Sequence, residues 1–163
     1  MPSPVVTAVF LYKHKCKVSP KAEVELTPLI AMGRGTVISS FAKLKATGPL
    51  KIGRDVSVGT CVFISADEGG IEIGDYTMVG PNVSIIGNSY RYDRLDVPIQ
   101  LQGTTSSGIK IGANVWLGAG TCVIDGAVIG DGAIVAPNSV VSARIPENAI
   151  AQGNPAKVVF QRR

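Results

Sequence analysis

Between Gly87 and Lys110 the chain gathers Asn88, Ser89, Tyr90, Arg91, Tyr92, Asp93, Arg94 and Asp96 within a few residues of one another. Hydroxyls, carboxylates and guanidinium groups at this density can hydrogen-bond a polar ligand and move a proton to or from it. Nowhere else does the sequence offer as much chemistry. There is one histidine, His14, and there are three cysteines, Cys16, Cys61 and Cys122, with no Cys-x-x-Cys spacing. Zinc sites are built from three or four such ligands together, so no metal is expected. An odd cysteine count without a disulfide framework points to a reducing compartment. Cys61 and Cys122 fall within repeated segments and read as small buried hydrophobes.

A polar segment as long as 87–110 needs a scaffold, because a loop of this length in a compact domain is either functional or disordered. Val97-Pro98-Ile99 inside it reads as an anchoring segment. The scaffold is visible on both sides. Ile111, Leu117, Val123, Ile129, Val135 and Val141 recur every six residues, mostly followed by glycine or another small residue. The same phase occurs at Ile52, Val58 and Ile64 and at Ile73, Val79 and Ile85. A period of six is neither helical nor a simple strand alternation. It marks a β-solenoid whose coils have short flat faces, each sending one aliphatic residue inward. Three faces give coils of about eighteen residues, stacked roughly 4.8 Å apart. The expected organisation is a single domain over 1–163. Residues 1–35 form an irregular cap, 36–144 the coils with loop 87–110 extruded, and 145–163 a tail that leaves the solenoid. Asp67-Glu68-Gly69-Gly70 is a small excursion at one corner.

The composition agrees with a narrow tube. Hydrophobic residues make up 45% of the chain and aromatics only 6%, so Val, Ile and Ala fill the interior, while 19 glycines and 10 prolines serve frequent turns. A formal charge of +4, without basic residues interleaved with exposed aromatics, argues against a nucleic-acid binder. Basic residues collect at the two ends, in Lys13-His14-Lys15-Cys16-Lys17, which reads as a solvated terminus, and in Lys157, Arg162 and Arg163. The apolar stretch Val5 to Leu11 is too short to span a bilayer and follows no charged start. The chain is therefore expected to be soluble and cytoplasmic, with no transmembrane segment.

The strings Ile111-Gly112-Ala113-Asn114-Val115-Trp116-Leu117-Gly118-Ala119-Gly120, Ile129-Gly130-Asp131-Gly132 and Gly153-Asn154-Pro155-Ala156-Lys157-Val158 resemble the hexapeptide-repeat acyltransferase family. The resemblance runs from about Ile52 to the end. Tyr92-Asp93-Arg94, Pro98-Ile99 and Gln102-Gly103 resemble its branch that acylates sugars in surface-polysaccharide assembly. It implies an all-β, left-handed parallel β-helix and a homotrimer with active sites between neighbouring subunits. It also implies acyl-CoA, usually acetyl-CoA, as donor and a sugar or nucleotide-sugar acceptor. Handedness and trimer both rest on this resemblance.

In that family the long loop carries a histidine that takes the acceptor's proton, typically as Asn-His, one residue, then Phe or Tyr. Laid on this chain, Ser89 holds the Asn position, Tyr90 the His position and Tyr92 the aromatic one. A tyrosine hydroxyl titrates near 10 against about 6.5 for imidazole, so about one in a thousand is ionised at pH 7. Three routes remain open. Tyr90 positions the acceptor by hydrogen bonding; Arg91 or Arg94 makes its hydroxyl more acidic; or the acceptor is a neutral amine that needs no base. A non-catalytic trimer that keeps the CoA scaffold is the alternative. A zinc hydratase on the same fold is rejected, since it needs three histidines and the chain has one.

For the acceptor, the resemblance points to Asn82, Asn88, Ser89, Tyr92 and Asp93, although Asn82 reads equally as a stacked corner asparagine. For the donor it points to Trp116, Gly118, Ala119, Ala136 and Pro137 along the pantetheine arm, with Lys157 and Arg162 at the CoA phosphates. Glycines at corners also have a purely structural explanation. Trp116 is too large for the tube and is expected to point outward.

Overall fold

The computed structural model describes residues 4–163, without the side chains of residues 4–6, 13 and 14. The side chain of His14 thus lies outside the described residues. A helix, Pro4–His14, is followed by short strands that return to three faces in turn. The first face stacks Lys17–Val18, Val37–Ile38, Ser57–Val58, Met78–Val79, Trp116–Leu117, Ile134–Val135 and Ala149–Gln152. The second runs from Glu23–Val24 to Val140–Val141 and the third from Ile30–Met32 to Arg144–Ile145, six strands each. Every pairing between coils is parallel, as in Met78↔Trp116 and Val79↔Leu117. Backbone hydrogen bonds of the faces therefore run along the stack, while some corners close with a bond inside the coil, as from the Thr121 N–H to the Gly118 carbonyl.

Aliphatic side chains fill the inside in three columns. Val18, Ile38, Val58, Val79, Leu117, Val135 and Ala151 line the first face, and Val24, Leu44, Ile64, Ile85, Val123 and Val141 the second. Met32, Ile52, Ile73, Ile111, Ile129 and Ile145 line the third, and all of these residues are buried. Like side chains stacked at one spacing hold the faces flat against the usual twist of a sheet.

The coils extend further at both ends than the sequence reading places them. Residues 17–32 already form a complete coil in register with the next, with Lys17 opposite Val37, Glu23 opposite Lys43 and Ile30 opposite Leu50. The inner residues Val18, Val24, Met32, Ile38, Leu44 and Ile52 show the cause. Six residues separate most neighbours, but eight separate Val24 from Met32 and Leu44 from Ile52. A longer corner between the second and third faces breaks the six-residue phase without breaking the coil. At the other end only four residues part Val141 from Ile145, yet Arg144–Ile145 and Ala149–Gln152 stay in the faces. The chain leaves the stack only after Gln152, when Lys157–Gln161 folds back antiparallel on Ala149–Gln152.

Cysteines are also redistributed. Cys16 is buried, whereas Cys61 is exposed. Cys61 takes a left-handed backbone conformation (φ 58) at a corner, one residue before the buried Val62. Cys122 faces outward on the second face and is partly covered, which pushes its thiol up.

Candidate functional site

The extruded loop starts from the corner between the second and third faces and is bolted there. Asp125, one coil further on, accepts hydrogen bonds from the Ser107 N–H (2.8 and 2.9 Å to its two oxygens) and the Gly108 N–H (2.9 Å). Ser106 bridges the two ends of the loop, its hydroxyl donating to the Gly87 carbonyl at 2.6 Å and accepting from the Gly69 N–H at 2.9 Å. Asp67, one coil earlier, accepts from the Asn88 side-chain amide at 2.8 Å. That hydrogen bond, with the Glu68 N–H and the Thr47 hydroxyl, holds the Asp67 carboxyl below the usual carboxylate range. Charged acceptors make such bonds about twice as strong as neutral ones.

Beyond this root the loop is a two-stranded ribbon, Ser89–Tyr90 against Thr104–Thr105, with a 3₁₀ turn at Ile99–Leu101. Gln102 closes it internally, its amide donating to the Arg94 and Val97 carbonyls at 2.7 and 2.8 Å and its carbonyl accepting from the Arg94 N–H. Tyr90, Tyr92 and Asp93 project from the ribbon and are exposed, Tyr90 by 56% and Tyr92 by 75%. Two expectations change here. Asn88 belongs to the root, held by Asp67, and not to the projecting set. Val97-Pro98-Ile99 does not anchor the loop on the coils: Ile99 is exposed, and Asp67, Ser106 and Asp125 hold the loop there. Leu95 is fully exposed, with Leu101 at 73%. Arg94 is committed to Asp96, its guanidinium donating to both carboxylate oxygens, which lowers the Asp96 pKa and takes Arg94 away from Tyr90.

Most of the donor-side residues share a different edge, the corner between the first and second faces. The Gly118 N–H donates to the Val135 carbonyl and the Asn138 N–H to the Ala119 carbonyl, which sets Gly118-Ala119 directly against Ala136-Pro137 of the next coil. Asn82 lies one coil earlier on the same edge, with Gly120 N–H donating to the Pro81 carbonyl. Its φ of 57 is the left-handed corner conformation that asparagine tolerates. Lys157 pairs with Gln152 at that same end of its strand and is exposed. Gly118 has a structural reason of its own: a Cβ there would sit 2.5 Å from the Pro137 nitrogen. Trp116 points outward from the middle of the first face, 48% exposed, between Met78 and Ile134. Arg162 is elsewhere. Its guanidinium donates to the Gly132 carbonyl and its N–H to the Asn148 carbonyl, at the corner between the third and first faces.

Apart from Trp116 and Arg162, the candidates thus fall on two edges of one prism, with the second face between them. Sequence reasoning missed Asp67, Asp125 and Ser106, which set the loop's direction. For Asp125 the signal was an acidic residue beside a corner glycine, and for Asp67 its place in the Asp67-Glu68-Gly69-Gly70 excursion; Ser106 carried none. A cleft of about 300 Å³ lies beside the root, lined by Lys51, Glu72, Gly108 and Lys110 among others, with Lys51 paired to Glu72 at 3.1 Å. Among the described residues no three His, Cys, Asp or Glu side chains lie together, and no helix is long and apolar enough to cross a membrane.

Comparison with known proteins adds the lineage. Residues 108–143 match the bacterial transferase hexapeptide (six repeats) family. Nodulation protein L of Rhizobium leguminosarum bv. viciae is 33% identical over 161 residues, which cover 94% of this chain and 82% of that protein. The chain belongs to the hexapeptide transferase family. A Mycobacterium tuberculosis protein named as a probable acetyltransferase is 32% identical over 154 residues, 82% of this chain. This hexapeptide chain spans only half of the length of that relative. In three dimensions it superposes on AntD, an N-acyltransferase from Bacillus cereus solved with dTDP and coenzyme A, with a TM-score of 0.83. The identity is 19%, over 96% of this chain and 88% of that one. A second AntD complex, with dTDP-4-amino-4,6-dideoxyglucose and coenzyme A, gives 0.82 at 21% identity over 92% and 82%. The fold is the left-handed parallel β-helix of these acyltransferases.

Proposed function

We propose that this hexapeptide protein is an acyl-CoA-dependent acyltransferase, moving an acyl group, in the simplest case acetyl, onto a sugar or nucleotide sugar of polysaccharide biosynthesis. The observation that carries the reading is the bolted loop, which holds Ser89, Tyr90, Tyr92 and Asp93 clear of the coils as a set of projecting hydrogen-bonding groups. The acceptor's lone pair attacks the thioester carbonyl, the carbon–sulfur bond breaks, and CoA leaves as a thiolate that takes up the proton the acceptor loses. An alcohol needs a base for this step and a neutral amine does not. With tyrosine at the loop position and Arg94 held by Asp96, an amine is the favoured acceptor and Tyr90 positions it. The AntD complex with an amino sugar nucleotide supports that preference.

The donor would run along the edge formed by Gly118, Ala119, Ala136 and Pro137, with Trp116 on the adjoining face and Lys157 meeting phosphate; Arg162 is better explained by its bonds to the coil. Loop and edge lie apart on one chain, so we take the complete site to need a second copy, in a homotrimer. The exposed apolar residues Leu95, Ile99 and Leu101 on the loop give that copy something to contact. An acyl-CoA donor carries with it a cytoplasmic location.

The test is calorimetric titration of acetyl-CoA into the native chain and a Tyr90→His variant, followed by CoA release with paired amino and hydroxy sugars. Release by the native chain with amino sugars, and a new hydroxyl activity in Tyr90→His, is the expected result. If both proteins bind acetyl-CoA and neither releases CoA with any acceptor, the second reading holds: a non-catalytic trimer that keeps the CoA scaffold, favoured by the missing imidazole. If neither binds acetyl-CoA, the transferase reading is overturned.

A further inference from the structure

We infer that the end of the prism under the N-terminal helix docks on an anionic lipid surface. Charge is the first observation. Residues 1–45 carry seven Lys and Arg against two Asp and Glu, whereas the rest of the chain carries nine against ten. The whole net charge of the protein therefore sits on its first two coils and helix. Both carboxylates there are occupied: Glu23 pairs with Lys43 at 2.7 Å, and Glu25 accepts the Ala46 N–H at 3.0 Å. Lys15, Lys17, Lys21 and Lys45 are exposed, and no described carboxylate pairs with them.

Apolar exposure at the same end is the second. A groove of about 540 Å³ runs between the helix and the first coil, and among the described residues lining it, which include Val9, Leu26, Pro28 and Met32, Thr27 is the only polar one. Leu26 is 54% exposed, Leu11 44%, Leu29 38% and Tyr12 84%. Leucines and a tyrosine at the same end of the stack as these lysines suit the boundary between headgroups and acyl chains, where apolar side chains insert and basic ones meet phosphate. A soluble polyanion would use the lysines and leave the leucines in water. A second copy placed end to end would bring like charges together, since 144–163 is also net basic, with four Lys and Arg against one Glu. Charge complementarity therefore selects the lipid. The inference does not depend on the transferase reading, because these residues lie on the helix and the first two coils; Lys21 shares the Gly118 edge but stands four coils before Gly118.

The experiment is sedimentation of the full chain with vesicles of phosphatidylcholine, alone or mixed with phosphatidylglycerol. Binding to the mixed vesicles only, weakened by salt, is expected. Each lysine near such a surface is worth about fivefold in affinity, so the Lys15→Gln/Lys17→Gln/Lys21→Gln variant should lose on the order of a hundredfold. Leu11→Ser with Leu26→Ser should weaken binding separately. All five positions are exposed, and circular dichroism checks that the variants fold. Equal binding to both vesicle types, or none, overturns the inference. So does binding that ignores the leucine changes, which would assign the patch to soluble polyanions, or self-association in sedimentation velocity that Leu26→Ser abolishes, which would assign it to a second copy.

Discussion

The coils and the loop they extrude are made by one chain under opposite rules. In the coils each face buries a side chain at every turn, and the backbone bonds to the coil before and the coil after. From Ser89 to Thr105 no side chain is buried, and order comes from a few polar contacts at the root and from Gln102. Stability in the wall is shared among repeated neighbours. In the loop it rests on single residues. The wall can afford no charge inside and the loop carries several in solvent, so a damaging change in one region should be silent in the other.

The largest effect belongs to the wall. Val123→Asp or Ile129→Asp places an unpaired charge in the tube and should cost about 4 kcal/mol or more, leaving little folded protein in denaturant titrations. Leu95→Asp, on the fully exposed loop tip, should leave the midpoint within about 0.5 kcal/mol; equal effects would erase the distinction. Gly118→Ala comes next. Its Cβ would press on Pro137 at 2.5 Å, and about 1–3 kcal/mol of destabilisation is expected from overpacking.

Asp125→Ala sharpens the comparison from the other side. It leaves the Ser107 and Gly108 N–H groups without an acceptor, at about 1–2 kcal/mol, and should make the loop sensitive to limited proteolysis while the coils stay resistant. Asp67 adds a pH dependence. Its carboxyl is depressed in the folded chain, so its contribution is complete above about pH 4, the unfolded value, and fades as pH falls through the lower folded value. Loop protection measured by proteolysis at falling pH should show that loss, and Asp67→Asn should flatten it. Smallest of all is Lys51→Ala. Its pair with Glu72 is exposed on both sides, and removing it should shift stability by no more than about 0.5 kcal/mol.

Legibility followed the same division. The regular coils from Ile111 to Val141 could be read directly, because each inner aliphatic is six residues from the next. The first coil could not, since the eight-residue corner after Val24 hides a repeat that is intact in space. Cys61 was misread for a related reason: the six-residue phase names inward positions, and Cys61 stands at a corner between them. Of the candidate site, the tyrosines and Asp93 were found by composition and do project. Asn88 and Arg162 were assigned to ligands and instead bond to the protein, Asn88 to Asp67 and Arg162 to Gly132.

By itself the sequence determined the three-faced tube, the place where it opens into a loop and the residue types that loop displays. All of these follow from spacing along the chain, because burial in a solenoid repeats with the local period. Only the tertiary structure decided where the loop is pinned, which arginines are spent on the protein and which candidates share an edge. In a stacked coil the partner of any corner residue lies a full turn away, and the length of that turn varies from corner to corner. The hydrogen bonds from Asp67 and Asp125 to the loop therefore join positions that no local pattern links.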